Sequence, residues 1–115
     1  MKKIIQTSFI AALLLTLSSF LNSTPTEFTG VYGVSENDPS QIELTLNEDK
    51  TFSYKDFSNP SKKIDVNGNW ELKNKHIHLI NYSSVYSFHS KWKIVDDGKI
   101  AKSRKGMTFY TLVKK

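Results

Sequence analysis

Alternation constrains this chain more than any other feature. From Phe28 to the C-terminus, apolar residues recur at every second position in short runs, and no run keeps a helical period. The longest such run is Ile64, Val66, Gly68, Trp70 and Leu72, with polar residues between them. Ile42, Leu44 and Leu46 make a second clean run, and Phe52 with Tyr54 a third. Such a pattern buries one face of a strand and wets the other. Turn-forming stretches separate the runs: Ser35 to Ser40, Asn47 to Lys50, Ser58 to Ser61, Asn74-Lys75 and Asp96-Asp97-Gly98. The spacing predicts about eight strands joined in sequence by short hairpins. It thus predicts an all-β antiparallel meander that closes into a small barrel, with an open, curled sheet as the alternative.

Two details set the expected register. A two-residue turn at Asn74-Lys75 places Leu72 opposite Ile77 and Trp70 opposite Leu79, apolar against apolar in both cases. Gly68 sits among the inward positions, which predicts a bend or a side chain lying close to the backbone there. Further on, Val85 to Val95 is predicted as one long strand. It would turn Tyr86, Phe88, Trp92 and Ile94 inward and His89, Lys91 and Lys93 outward. Ile100 to Ser103 follows as a short strand, then a turn at Arg104-Lys105-Gly106, and Met107 to Val113 closes the series.

The first residues are different. Lys2-Lys3 precede an uncharged run from Ile4 to Leu21 with a dense apolar centre. A positive start followed by a short apolar segment is the signature of a secretory signal peptide. Residues 1–23 are therefore read as a helical signal peptide and 24–115 as the domain, which implies a secreted or periplasmic product. Polar residues at Gln6, Thr7, Ser8, Thr16, Ser18 and Ser19 argue against a retained membrane span. The chain has no cysteine, which excludes disulfides and attachment through a lipidated cysteine. No stable membrane anchor is expected after cleavage.

Without Lys2 and Lys3, 14 of the 16 basic residues remain against 11 acidic ones, about +3. The excess lies late in the chain, at Lys91, Lys93, Lys99, Lys102, Arg104, Lys105, Lys114 and Lys115, with only Asp96 and Asp97 against it. A basic face of this kind suits anionic lipid headgroups, polysaccharide or an acidic partner, or else a solvated, edge-protecting surface. Nucleic acid is not an expected partner of an exported protein.

Three segments together carry a resemblance. They are Phe28-x-Gly30-x-Tyr32, then Leu44-x-Leu46-x-x-Asp49-x-Thr51-Phe52-x-Tyr54, then Gly68-x-Trp70-x-Leu72 leading into His76-Ile77-His78-Leu79. In their order they resemble the small lipocalin-like domains of bacterial envelopes, in particular the N-terminal domain of NlpE-type copper-resistance and stress lipoproteins. The resemblance covers residues 28–80 and implies a lipocalin-like barrel in an envelope setting. The family's lipidated cysteine and its Cys-x-x-Cys pair have no counterpart here, so neither anchoring nor thiol chemistry carries over.

Candidate sites are few. The inward aromatic set Tyr32, Phe52, Tyr54, Trp70, Tyr86, Phe88 and Trp92 either lines a small ligand cavity or fills the core. His76 and His78 share a strand face, with Glu71 opposite His78; because Ile77 and Leu79 point inward, these groups are expected to face water, and no metal site is assigned. No nucleophile motif, phosphate loop or carboxylate pair stands out, so no catalytic residue, no enzyme activity and no cofactor are expected. Two functions follow. The first is a non-enzymatic binding module for a small apolar ligand or an envelope component. The second is a protein-interaction domain, an inhibitor or stress-sensing partner, that uses the outer face and the basic C-terminal strands.

Overall fold

The computed structural model describes residues 28–115, so the expected signal peptide and the lead-in at 24–27 lie outside the described residues. Eight strands follow one another: β1 (Gly30–Gly33), β2 (Glu43–Leu46), β3 (Thr51–Asp56), β4 (Ile64–Lys73), β5 (His76–Ile80), β6 (Lys91–Val95), β7 (Ile100–Lys105) and β8 (Thr108–Lys114). Each pairs antiparallel with the next, and β8 returns to β1 through Tyr32↔Lys114 and Gly33↔Val113. The meander is a closed barrel, so neither terminal strand leaves a free edge along its paired length.

The best-patterned segment behaves as its sequence requires. Asn74 and Lys75 both take positive φ, 53° and 65°, the conformation of a hairpin turn whose twist matches its strands. Leu72 then pairs with Ile77, Glu71 with His78 and Trp70 with Leu79. Gly68 pairs with Phe52, and a β-carbon there would lie 2.8 Å from the Phe52 ring and 2.6 Å from the Ile80 carbonyl oxygen. The close approach expected at Gly68 is made by that ring and by backbone.

The core is built from the inward positions: Tyr32, Ile42, Leu44, Leu46, Phe52, Tyr54, Val66, Trp70, Ile77, Leu79, Phe88, Trp92, Ala101 and Leu112 are all buried. The polar tips of its large rings find partners, which such rings need when enclosed. Trp70 Nε1 donates to Asn47 O at 2.9 Å, Trp92 Nε1 to His89 O at 2.7 Å, and the Tyr32 hydroxyl to Phe28 O at 2.8 Å.

Two segments depart from the pattern. The strand expected over Val85–Val95 begins only at Lys91, and residues 81–90 form a loop. Asn81, at φ 55°, turns the chain out of β5. Phe88 and His89 are buried in succession, which no regular strand with one wet face allows. Phe88 stacks on Tyr54 at 5.1 Å and His89 on Tyr110 at 4.0 Å, so tertiary ring contacts override the local alternation. His89 is thus inside rather than outside, and Tyr86 is 37% exposed rather than inward. The turn expected at Arg104-Lys105-Gly106 falls later, at Gly106-Met107, with Gly106 supplying the positive φ of 61°. β7 consequently carries Arg104 and Lys105 within the sheet.

Candidate functional site

Antiparallel order sends the β1–β2, β3–β4, β5–β6 and β7–β8 connections to one end of the barrel. Three of these, residues 34–42, 57–63 and 81–90, are its longest connections. This end is the mouth. The opposite end is closed by the tighter turns at 47–50, 74–75 and 96–99.

Six of the seven inward candidates, Tyr32, Phe52, Tyr54, Trp70, Phe88 and Trp92, are buried against one another and the aliphatic core. Tyr54 meets both Phe88 at 5.1 Å and Trp92 at 6.0 Å. The rings fill the barrel as packing units, and of this set only Phe88 and the displaced Tyr86 reach the recesses at the mouth.

The mouth contains a polar cluster that the sequence reading missed. Asp56 is 5% exposed at the end of β3 and accepts four hydrogen bonds. Oδ2 takes the Tyr110 hydroxyl at 2.9 Å and the Tyr54 hydroxyl at 3.2 Å, while Oδ1 takes Ser58 N at 2.9 Å and Ser58 Oγ at 2.6 Å. Burial, with the adjacent carboxylate, pushes both phenols above the ordinary tyrosine range, most strongly Tyr54. Beside them His89 Nδ1 lies 2.9 Å from Ser103 Oγ, and Ser103 Oγ donates to Lys91 O at 2.7 Å. Burial, reinforced by the Lys105 charge and opposed by Asp56, holds His89 below the usual histidine range. One signal was available in sequence: continuing the Phe52, Tyr54 alternation by one step puts Asp56 on the inward face.

The outer face of β6–β8 has the opposite character. Lys93 pairs directly with Lys102, and Lys102 with Thr111. Arg104 pairs with Phe109, its guanidinium 5.2 Å from the ring centre. With Lys91 and His76 these side chains line a groove of about 530 Å³ that contains no carboxylate. Phe109 is 65% exposed at its edge, and Met107 stands exposed in the adjoining turn. Among the described residues the single close ion pair, Lys115 with Glu43 at 3.2 Å, involves none of the groove cations.

His76 and His78 lie on the outer face of β5, Glu71 beside His78 as the register requires, with the two imidazole centres 6.5 Å apart. His76 Nδ1 donates to Asn74 O at 2.9 Å. Among the described residues no three His, Cys, Asp or Glu side chains converge as a metal site would require.

Fold and surface together define a small, closed, eight-stranded antiparallel barrel with a filled interior, a polar mouth and a basic outer groove. The chain belongs to the family described as domain of unknown function DUF3994, whose pattern matches residues 17–110. No curated protein and no solved structure matches it.

Proposed function

We propose that this protein is an exported, non-enzymatic interaction module of lipocalin-like form, similar to the barrel of NlpE-type lipoproteins, that docks an acidic protein segment on the outer face of β6–β8. The observation that carries this reading is the groove itself: Lys91, Lys93, Lys102 and Arg104 gather there without a neighbouring carboxylate. Like charges directly opposite on a sheet are unfavourable, so Lys93 facing Lys102 costs stability in the free protein. A partner bringing carboxylates relieves that repulsion. Phe109, exposed beside the cations, adds the aromatic contact that protein interfaces favour over purely charged surfaces. The filled interior supports this reading over an apolar ligand held inside the barrel. Export rests on the apolar run behind Lys2-Lys3.

Titration with an oligoglutamate peptide at low salt tests the groove. Binding is expected to weaken steeply with added salt and to disappear in the K93E/K102E double variant. Binding that survives the double charge reversal, or none at low salt, refutes the proposal.

A further inference from the structure

The geometry points to a second binding site at the barrel mouth, bordering the outer groove through Lys91 and Arg104, for a small phosphorylated sugar or polyol held by His89 and Lys105. His89 is 5% exposed, and its hydrogen bonding fixes its tautomer. Ser103 has one hydroxyl proton, which it gives to Lys91 O, so its oxygen accepts from His89 and Nδ1 carries the ring proton. In the neutral ring Nε2 is then a bare acceptor. Among the described residues no group takes up that lone pair, and no enclosed side-chain nitrogen or oxygen lacks a partner. Nε2 therefore opens onto the space outside. His89 lines two adjoining mouth recesses, of about 500 and about 210 Å³. The ring is held in place: it stacks on Tyr110 with an interplanar angle of 18°, and its own carbonyl accepts from Trp92 Nε1. A purely structural clamp needs the ring face and Nδ1. Donation through Nδ1 leaves Nε2 as the acceptor with which this ring can take a ligand proton.

The surroundings specify the ligand. A lone imidazole acceptor takes a hydroxyl proton. Lys105 lines both recesses and Lys62 the smaller one, so a dianion has two ammonium groups beside it. Asp56, the carboxylate in this region, has its oxygens occupied by Tyr54, Tyr110 and Ser58 and offers no free acceptor to a cationic ligand. Tyr86 and Phe88 contribute an apolar wall for a carbon skeleton. A hydroxyl donor, a phosphate and a compact carbon frame match these three features together.

Glucose 6-phosphate is the probe, titrated into the full chain with histidine ring nitrogens followed by NMR and Trp92 emission as a second reporter. A saturable response with a Kd at or below about 1 mM is expected, with the shift at His89 Nε2 and the proton retained at Nδ1. Glucose alone and inorganic phosphate alone should each bind at least about tenfold more weakly, because each lacks one half of the recognition. Lys105→Gln, a surface change that leaves the core untouched, should weaken glucose 6-phosphate severalfold, and His89→Phe, which keeps the stacking on Tyr110, should abolish the Nε2-dependent part. The K93Q/K102Q pair should leave the response unaltered. The inference is overturned by no saturable response, by equal affinity in Lys105→Gln, by inorganic phosphate binding as tightly as the sugar phosphate, or by loss of the response in K93Q/K102Q. The last result would assign the ligand to the outer groove.

Discussion

Replacing Lys102 with glutamate should make this protein more stable while weakening the proposed docking of an acidic segment. Lys102 stands directly opposite Lys93 in the β6–β7 ladder, and among the described residues neither makes a close ion pair. Directly opposed β-carbons are about 5 Å apart, and lysine side chains diverge a little to separate their charges. Two unit charges about 6 Å apart in water repel by about 0.7 kcal/mol, so exchanging repulsion for attraction shifts stability by about 1.4 kcal/mol at low ionic strength. With a Debye length of about 8 Å at physiological salt, roughly half of that remains, and with about 3 Å at 1 M little does. Lys102→Gln removes the repulsion without adding attraction and should gain about half as much as Lys102→Glu. The assay is urea denaturation of wild type and both variants across that range of salt, with oligoglutamate binding measured on the same samples. The expected order of stability at low salt is Glu above Gln above Lys, converging as salt rises, with the order of binding reversed. A Lys102→Glu protein no more stable than wild type at low salt, or a gain indifferent to salt, refutes the idea that these cations are held against their own repulsion.

Gly68→Ala should destabilise the barrel by about 3 kcal/mol, the upper end of overpacking costs, because the added methyl meets two carbonyl oxygens as well as the Phe52 ring. Phe52→Leu should rescue it only in part, and full rescue in urea melts would mean the backbone contacts are relaxed. Tyr54→Phe removes one charge-assisted hydrogen bond from buried Asp56 and should cost about 1.5–3 kcal/mol, whereas Asp56→Ala, which strands two phenols, should cost more; the reverse order would show that Asp56 is a burden on the fold. Burial pushes the Tyr32 hydroxyl up from 10.0 to about 12. A group whose folded pKa is raised contributes stability that is complete below its unfolded value and is lost as pH climbs through the folded one. Tyr32 should therefore contribute about 2–3 kcal/mol of stability that disappears between about pH 10 and 12. Alkaline denaturation followed by circular dichroism should show a shallower decline over that window in Tyr32→Phe.

How much of this was legible in sequence depended on whether the neighbours along the chain decided the outcome. In the β4–β5 hairpin they did: the alternation of Ile64 to Leu72 and a turn that both Asn74 and Lys75 can adopt left one register in which apolar faced apolar. Residues 81–90 were decided from elsewhere. Phe88 goes in because Tyr54 stacks on it, and His89 goes in because Tyr110 and Ser103, more than ten residues away, receive it. Alternation carries no information about such contacts, so the long strand it suggested stops short and Tyr86 is left outside. The polar mouth escaped for a related reason. Asp56 reads as the polar end of a strand unless the phenols of Tyr54 and Tyr110 are known to converge on it, and Tyr110 is 54 residues distant.

The same division explains why the inward aromatic set packs as core while the basic strands stay at the surface. A large inward ring in a short strand is favoured by burial alone, so its presence says little about function. Six of the seven rings chosen are accounted for by the core they fill. An outward lysine facing another lysine gains nothing from burial and loses by its position in the ladder. Folding does not select for that arrangement. Where a residue is worse placed for stability than its obvious replacement, binding is one physical reason for it, and solubility or protection against edge pairing is another. By that criterion the binding surfaces we propose for this barrel are its outer groove and its mouth, with the packed interior beneath both.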